Sequence, residues 1–587
     1  MDRTPFRLLT LLVAFILPAA SGDAAEARAA GDDRSKYVED FEFIKRTVAE
    51  KYPCLKSKKI DWEEITARFR PLFEECGSDV EHVGNVMQLL ATLRDGHSVV
   101  TRTCVDRKRL PSKWSGHSGG GLWIGWDDGL LVLRGAWDGH SLLKTVPPGS
   151  IIAAIDGEPA WIAVEREKRR ICTWRGHSSD HSLFASIGAT FFQFGDREEM
   201  DILFITPQLK TETFRLHRKS PEGKSFSSMR ATLPEGVEWE KGAVSAFLAS
   251  DRCRKIGYLR ITGSMDFWTN MAFHRAVDEL EGMEALLLDC RNMGGGADKY
   301  ARGMAGRFFS DGAENGTAPP IGASGFWQFD GPVVMLQNEN QVSSAETFTL
   351  AMSETRRVIS VGRSTGGWAI VPDDFDCPSG LATFFLGVTD RPTPIGGIRT
   401  EGAGWPPDIP VPYGPVFCAR LDPAREVGLE ILGVLHAGAP RDKVAEAFAA
   451  LFEGRIDEFL EQAPMLAEGM KGWKPEPLAN RVRRDLETRL AMETALLELG
   501  GPLPSDALGV TRRLADLAPR ARAAGLVKPL DRLEKAVRES EEECAAQKSF
   551  LGITDASLEA DAASRKVFQN RFGETRTARY VSSHLWR

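Results

Sequence analysis

The feature of this 587-residue chain that most constrains its fold is an alternation of apolar runs with helical segments between about residues 250 and 435. The apolar runs lie at 256–261, 285–289, 333–336 and 358–361, and helical spacing occurs near 268–281, 297–309 and 344–355. Continuous apolar runs are typical of strands that are buried on both faces of a parallel sheet. Because strands and helices alternate, we expect βαβ units and an α/β core at 250–435 with a mostly parallel sheet.

A helical region precedes this core. Apolar residues recur every three or four positions from Tyr37 to Phe73, which predicts an N-terminal helical domain at about 31–108. Asp61 and Glu64 have the spacing of a capping box, a pattern that marks the start of a helix.

A second helical region follows the core. After about residue 438 the sequence is rich in Ala, Leu, Glu and Arg at helical spacing. We expect a helical domain at 438–545, a C-terminal appendage whose charge runs are solvated faces. The tail at 546–587 predicts no particular structure.

Between the N-terminal helices and the core, short apolar runs are separated by glycines. This pattern predicts a β-rich domain at about 112–225. Its segment 150–157 follows Pro147, Pro148 and Gly149 and ends in an Asp-Gly turn. The segment resembles the late strand and turn of a PDZ domain, and a PDZ-like domain implies binding of peptide ends.

The first residues have the pattern of a secretory signal peptide. Arg3 and Arg7 supply positive charge, residues 8–17 are apolar, and residues 18–24 are rich in small side chains. The alternative is a membrane anchor, but a membrane-spanning helix needs about 20 apolar residues. We therefore expect a signal peptide at 1–22 and an exported protein, periplasmic or secreted, with no membrane span after cleavage.

The charge balance argues against a nucleic-acid partner. The formal net charge is -8, the pI is near 5.8, and no basic stripe is interleaved with aromatic residues. The nine cysteines show no Cys-x-x-Cys spacing, which argues against a zinc ribbon or a thioredoxin-type site. We expect no metal and no cofactor, and the pairing of the cysteines stays open.

One segment that carries chemistry is 288–296, where an apolar run ends in a polar turn and three glycines. Glycines permit close backbone approach, and their amide N–H groups suit an anion or a developing oxyanion. A phosphate loop is disfavoured because no Gly-Lys-Ser/Thr follows. The plain alternative is a tight turn between a strand and a helix.

The segment 340–348 places Ser343 and Ser344 where an apolar strand has ended and a helix begins. A serine at that position can simply cap the helix. The same position sets a hydroxyl beside free helix N–H groups, which stabilise an alkoxide. From these residues alone, cap and nucleophile both stay open.

Two further loops carry titratable groups. His97 lies in the turn 95–98, from which its ring could reach a neighbouring domain, although a lone histidine is more often structural or exposed. Glu401 lies in the Gly-rich segment 400–409, where the backbone is free of regular structure.

Taken together, these four segments resemble the S41 peptidases, the family of tail-specific (C-terminal processing) and tricorn-type proteases. Residues 288–296 resemble the family's triple-glycine motif, and 342–346 resemble its nucleophile motif, in which the serine lies three residues before a glutamate. Residues 361–367 and 401–409 resemble its strand-turn and its closing motif, in the same order. The resemblance covers about 35–430 and implies an α/β multidomain fold with a catalytic core of the ClpP/crotonase type.

The resemblance implies a hydrolase of the serine protease class that cleaves peptides or unfolded proteins. Members with a Ser-Lys dyad carry a lysine where this chain has Trp368, so the resemblance is closer to the tricorn-type branch. It then implies Ser343 as the nucleophile, His97 as general base and then acid, and Glu401 as the carboxylate that orients the imidazole.

The same resemblance implies an oxyanion hole formed by the amide of Ser344 and one from Gly294 or Gly295. An ordinary histidine base predicts that activity rises with pH through one ionisation near neutrality. It also predicts that Trp368→Ala barely changes activity.

Two rival functions remain. Residues 362–366 satisfy Gly-x-Ser-x-Gly, with Asp408 and His436 downstream in the order of an α/β-hydrolase, so an esterase with Ser364 as nucleophile is one alternative. That alternative leaves the triple glycine and Ser343 unexplained. The other is an inactive S41-fold protein that binds peptides or ligands.

A metal site is the weakest possibility. His177 and His181 have the spacing of ligands on one face of a helix, but the segment lacks the glutamate of a zinc protease.

Overall fold

The structure is a computed structural model of the chain. It describes residues 34–110, 121–127, 129–136, 140–190, 198–217, 239–241, 244–251, 255–310, 321–390, 396–418, 422–466, 472–499, 504–554 and 558–586. The expected signal peptide at 1–22 lies outside the described residues. Within the described part of the chain, no helix is both long and apolar enough to cross a membrane.

Helices and strands are labelled in chain order. The helices are α1 (Ser35–Lys51), α2 (Trp62–Glu74), α3 (Asp79–Ala91), α4 (Ala160–Trp174), α5 (Asp180–Thr190), α6 (Phe267–Asp278), α7 (Asp298–Ala305), α8 (Ser344–Glu354), α9 (Pro423–His436), α10 (Arg441–Phe452), α11 (Ile456–Leu466), α12 (Glu476–Leu497), α13 (Ala507–Ala523), α14 (Val527–Glu539), α15 (Glu541–Ile553), α16 (Ala562–Phe572) and α17 (Arg576–Tyr580). The strands are β1 (Val99–Thr103), β2 (Leu122–Asp127), β3 (Leu130–Ala136), β4 (Ile151–Ile155), β5 (Glu158–Pro159), β6 (Glu199–Ile205), β7 (Thr211–His217), β8 (Trp239–Lys241), β9 (Val244–Asp251), β10 (Ile256–Ile261), β11 (Ala285–Asp289), β12 (Val333–Gln337), β13 (Ile359–Gly362), β14 (Val371–Asp376), β15 (Ala382–Thr389) and β16 (Ile409–Pro410).

The largest sheet confirms the predicted parallel core. Its strand order is β16-β13-β12-β11-β10-β9-β8; β10 to β13 and β16 are parallel, and β8 and β9 form an antiparallel edge. The described strands β10 to β13 are buried along their whole length, as their continuous apolar runs predict. Leu287 and Val334 face α9, whereas Leu286 and Met335 pack with the core that contains α6 and α8.

The N-terminal helices pack on part of the same core region. α1 to α3 share one hydrophobic core with β15, in which Phe41 and Phe73 meet Phe384 and Leu386. β1 pairs antiparallel with β15, and β15 pairs with β14. The helix starts follow their sequence signals: Asp61 accepts a hydrogen bond from the Glu64 amide at 3.0 Å. This packing brings the turn after α3, which carries His97, against the chain that follows β13.

The β-rich middle region contains an antiparallel sheet in the order β2-β3-β4-β6-β7. α4 and α5 pack beside it, and its core includes Trp126 and Ile202. The loop between α4 and α5, residues 175–179, contacts the turn that carries His97: a Cβ on Gly176 would lie 2.6 Å from the Asp95 backbone. The β-rich region therefore contributes to the surroundings of the candidate site.

The C-terminal region is helical from α9 to α17, which agrees with the helical character predicted for 438–545. α15 spans residue 545, and α16 and α17 lie in the tail for which the sequence predicts no particular structure. Buried ion pairs tie this region to the antiparallel sheet: Asp127 at the end of β2 pairs with Arg489, and Arg489 pairs with Glu493 at 2.9 Å. All of these side chains are buried, so the charges are compensated without water.

Candidate active site

Ser343 lies between β12 and α8 with a strained backbone. Its φ is 60° and its ψ is -131°, although it is not a glycine. Such conformations cost about 1–3 kcal/mol and cluster at functional sites. The strain turns the half-buried Ser343 toward the triple-glycine segment: a Cβ on Gly295 would lie 2.9 Å from Ser343 Oγ. Only a glycine fits at 295 without displacing the serine.

The backbone amides near Ser343 differ in whether they already donate a hydrogen bond. Gly294 N–H donates to the Gly263 carbonyl at 3.0 Å. Gly295 N–H and Ser344 N–H have no hydrogen-bond acceptor among the described residues. The Ser344 amide belongs to the first turn of α8, where helix N–H groups carry partial positive charge. Of the three residues expected to form an oxyanion hole, Ser344 and Gly295 therefore retain a free donor.

Glu346, three residues after Ser343, accepts several hydrogen bonds from the loop after β13. Its carboxylate accepts hydrogen bonds from Thr365 Oγ1 (2.6 Å), Gly367 N (2.9 Å) and Trp368 N (2.7 Å), and from Ser343 N at 3.3 Å. Complete burial raises the pKa of Glu346 to about 7, although the hydrogen bonds from Thr365, Gly367 and Trp368 act to lower it. The sequence motif marks this glutamate only as a spacing signal; the structure shows that it joins the Ser343 backbone to residues 365–368.

His97 is buried in the turn after α3. Its backbone N–H donates to Asp95 Oδ1 at 2.9 Å, while Asp95 Oδ2 accepts from Ser98 Oγ at 2.7 Å. Its ring lies edge-to-face against the indole of Trp368, with centroids 5.8 Å apart. Burial lowers the pKa of His97; the Asp95 charge and a hydrogen bond to the Ile370 backbone act in the opposite direction. The imidazole is therefore neutral near pH 7.

Glu401 is held by a cation and by backbone amides. Its Oε1 accepts from Lys58 Nζ at 2.7 Å, and its Oε2 accepts from Ala369 N at 2.9 Å. Burial and the Asp95 charge raise the pKa of Glu401, whereas Lys58 lowers it. The sequence offers no signal for the Lys58 contact, because 343 positions separate the two residues.

These groups meet around the segment 365–370. Glu346 binds the amide of Trp368, Trp368 packs on His97, and Glu401 binds the next amide, that of Ala369. In the described structure Ser343 Oγ makes no hydrogen bond to His97, and His97 makes none to Glu401. His97 Nδ1 is buried without a partner among the described residues. Apo sites often show long catalytic contacts that shorten only with substrate.

The residues of the alternative esterase site form hydrogen bonds and ion pairs with residues outside that site. Asp408 accepts hydrogen bonds from the amide and the hydroxyl of Ser360, at 2.7 and 3.0 Å. His436 lies at the end of α9, and its Nε2 is 3.5 Å from Glu284. The segment after Ser364 leads into β14, whereas the nucleophile of an α/β-hydrolase is followed by a helix. The structure does not bring these residues together.

The two histidines with ligand spacing differ in their hydrogen bonding. His181 Nε2 bonds to the Ala403 carbonyl at 2.8 Å, while both ring nitrogens of His177 are buried without a partner among the described residues. Within the described ranges, no group of three or more His, Cys, Asp or Glu side chains has the arrangement of a metal site.

Comparison with known protein families gives one match, over the region that contains the candidate nucleophile. Residues 255–411 match the model of peptidase family S41. The matched region contains Ser343, Glu346, Trp368 and Glu401, but not His97. No curated protein matches the chain.

Three solved structures are similar to this one over about 70% of the chain. Mature CPAF complexed with lactacystin has 13% identity and a TM-score of 0.49, with 70% of this chain and 99% of that one covered. The photosystem II D1 C-terminal processing protease has 18% identity and a TM-score of 0.39, with 69% and 98% covered. The tricorn protease has 14% identity and a TM-score of 0.37, with 68% and 36% covered.

Proposed function

We propose that this chain, a serine-type peptidase whose residues 255–411 match peptidase family S41, cleaves peptide bonds through an acyl-enzyme on Ser343. The observation that carries the proposal is the strained backbone of Ser343, with φ at 60°, at the start of α8 and in contact range of Gly295. Negative charge that develops on or near this hydroxyl is stabilised by the positive N-terminal end of the helix and by the free amides. The family match covers the same segment.

In the proposed mechanism His97 is the general base. Ser343 Oγ attacks the substrate carbonyl while His97 takes its proton, and the imidazolium then gives that proton to the leaving amine. The lowered pKa of His97 supports this role, because a neutral imidazole is available to accept a proton. The Ser343–His97 hydrogen bond forms when substrate binds.

Glu401 and the free amides complete the proposal. Glu401 holds the backbone of Ala369 beside the His97 ring, so it orients the imidazole through the segment 368–370. The amides of Ser344 and Gly295 donate to the oxyanion of the tetrahedral intermediate. Loss of one such donor typically costs about 2.7–4 kcal/mol of barrier stabilisation.

We further propose that the protein is exported and that its substrates are peptides or unfolded proteins. The short apolar run and the small residues at 8–24 support export. The antiparallel sheet of β2 to β7 with its two helices supports a PDZ-like domain, which would present peptide ends to the catalytic core.

A second candidate is an S41-type protein that binds ligands without turnover. It is favoured by one observation: Glu401 bonds to Lys58 instead of His97, and the nucleophile and the base are not hydrogen-bonded. A structure with this arrangement locked would bind peptides but not cleave them.

Labelling by a fluorophosphonate probe separates these functions. The full chain without residues 1–22 is expected to label, with the modified peptide mapping to Ser343, and Ser343→Ala is expected to abolish both labelling and hydrolysis of unfolded casein. Ser364→Ala serves as the matched control and retains both. Labelling that survives Ser343→Ala and is lost in Ser364→Ala would move the nucleophile to the esterase alternative. A folded wild-type chain without any labelling would favour the binding protein.

A further inference from the structure

A cavity of about 880 Å³ lies beside the candidate active site, and Glu401 is among the residues that line it. Three regions of the chain line it: the N-terminal helical region with Lys58 and Arg94, the end of α4 with the loop 175–179 and the start of α5, and the core region with Glu401. Trp368 is not among the lining residues, but its indole contacts the ring of His177 and lies under the guanidinium of Arg175, both of which line the cavity. The same indole contacts the His97 ring.

The cavity carries an excess of positive charge. Six cationic and three acidic side chains are among the described residues that line it. Two of the cations are paired within the lining, Lys58 with Glu401 at 2.7 Å and Arg399 with Asp390 at 2.9 Å. The histidines of the lining stay neutral, since burial lowers the pKa of His177 to about 3 and also lowers that of His181. Four cations are left without an ion pair to a described acidic group.

Arg175 is the most unusual of these four cations. Its Nε is fully enclosed and has no hydrogen-bond partner among the described residues, and its guanidinium lies 5.3 Å from the Trp368 ring. Burial lowers the pKa of Arg175, and no neighbouring acid counteracts that effect. Arg175 as a whole is half-buried, and the hydration that its Nε has lost is not replaced by a carboxylate or phosphate partner among the described residues.

A second buried group in the wall also lacks a partner. The His177 side chain is 7% exposed, and neither of its ring nitrogens bonds to a described residue. Buried polar groups of this kind are normally satisfied, and those that are not require an explanation such as an absent ligand or water. Arg175 and His177 are two residues apart in one loop, so one ligand placed there approaches both.

We propose that this cavity binds the carboxylate of an organic anion, with Arg175 as the primary contact and Lys168 as a supporting charge. A planar guanidinium matches the two oxygens of a carboxylate. Glu401 and Asp180 also line the cavity, and their charge disfavours a dianionic phosphate over a monoanionic carboxylate. The carboxylate belongs either to a small free acid or to the end of a peptide, and the site does not depend on turnover at Ser343.

Isothermal titration calorimetry of the folded Ser343→Ala chain tests the site without cleavage of the probe. The probes are propionate, trialanine with a free carboxy terminus, trialanine amide and inorganic phosphate, each at low salt. Binding of propionate identifies a small free acid as the ligand. Binding of trialanine but not of its amide, with no heat from propionate, identifies a peptide end. Both outcomes support the carboxylate site.

Variants in the Ser343→Ala chain locate the site. Arg175→Gln is expected to weaken binding of the carboxylate probe at least about tenfold, as loss of a charge-assisted bidentate contact does. Lys168→Gln is expected to weaken it about threefold, and it replaces Arg175→Gln as the test if that variant does not fold. Arg170→Gln is the control: this arginine lies on the same helix outside the cavity, where it pairs with Glu167, and its loss should leave affinity within about twofold. The proposal is overturned if no carboxylate probe binds below 10 mM, if phosphate binds more tightly than propionate and trialanine, or if neither cavity variant weakens binding.

Discussion

The indole of Trp368 lies edge-to-face against the imidazole of His97, with ring centroids 5.8 Å apart. The contact is possible because the residue before His97 is a glycine: a Cβ on Gly96 would lie 2.3 Å from two indole carbons. Trp368 stands where the resemblance to Ser-Lys peptidases places the lysine base. In this chain the position therefore holds a residue that packs on the histidine expected to act as base.

We predict that Trp368→Ala lowers kcat/KM about tenfold or more, because the His97 ring loses the surface that holds it. This replaces the expectation from the motif alone, which is that the substitution barely changes activity. Trp368→Phe keeps an aromatic surface and should retain most of the activity. Steady-state kinetics on a peptide substrate measure both variants. Equal activity in wild type and Trp368→Ala would show that the indole does not position His97.

Gly96→Ala is expected to destabilise the fold by about 1–3 kcal/mol, the usual cost of overpacking, and to reduce activity. The new methyl collides with the indole of Trp368, so the double variant Gly96→Ala/Trp368→Ala should regain part of the loss, and a double-mutant cycle by urea denaturation measures this coupling. Gly84→Ala in α3 is the control, since the nearest atom to its Cβ is 3.8 Å away. Additive effects in the cycle would contradict the collision.

The pH profile of kcat/KM is expected to rise through an ionisation below pH 6.5. Burial lowers the pKa of His97, so the ring becomes neutral at a lower pH than an exposed histidine. Asp95→Asn should move this rising limb of the kcat/KM profile to still lower pH, because the Asp95 charge raises the pKa of His97. His436→Ala is the control and should leave the limb in place. A limb that moves upward in Asp95→Asn would assign the ionisation to another group.

Glu346 should make the fold less stable as the pH rises toward and past neutrality. Its pKa is about 7 in the folded chain and ordinarily 4.5, so folding takes up a proton between these values. The contribution to stability is therefore full below about pH 4.5 and is lost as the pH rises through 7, by about 3 kcal/mol in total. Glu346→Gln removes this part of the pH dependence of the unfolding free energy, measured by urea denaturation from pH 4.5 to 8.

The control for that measurement is Glu354→Gln on the same helix, whose carboxylate bonds to the Gly396 amide at 2.6 Å. This control substitution should leave the pH dependence of the unfolding free energy unchanged. Asp485, whose pKa burial raises to about 6, acts in the same direction, so the slope is reduced and not abolished in Glu346→Gln. An identical slope in wild type and Glu346→Gln would show that Glu346 does not hold a proton at pH 6.

Lys58→Met is expected to lower stability by about 3 kcal/mol, because it leaves the enclosed Glu401 carboxylate without its cation. The double variant Lys58→Met/Glu401→Gln should recover much of this loss, since the neutral amide can still accept from Ala369 N. Lys45→Met is the control: its partner Glu63 is 75% exposed, so the pair contributes less than about 1 kcal/mol. Chemical denaturation at pH 7 measures all three. A loss equal to that of Lys45→Met would contradict a buried pair.

Much of the core was accessible from sequence pattern. The apolar runs at 256–261, 285–289 and 333–336 became adjacent parallel strands, because continuous hydrophobicity of strand length leaves few other solutions. The start of α8 at Ser344 also follows its local signal. These features depend on neighbours in the sequence, where periodicity and capping act directly.

Contacts between distant segments could not be read in this way. Three contacts join residues that are far apart in the chain: the pairing of β1 with β15, the Lys58–Glu401 ion pair and the packing of Arg175 on Trp368. The sequence of a loop such as 175–179 has no hydrophobic periodicity from which its burial could be predicted. The cavity beside Trp368 is thus a property of how three regions pack.

The sequence by itself determined the types of the core elements and the chemical groups available near them: a serine at a helix start, glycines after a strand, a histidine and a glutamate in loops. Only the tertiary structure decided which of these groups meet and in what protonation state. The physical reason is that local propensity acts over a few residues, whereas a pKa depends on the loss of water and on charges brought close by packing. Burial lowers the pKa of His97 and raises that of Glu346 to about 7, because both side chains are enclosed by segments distant in sequence.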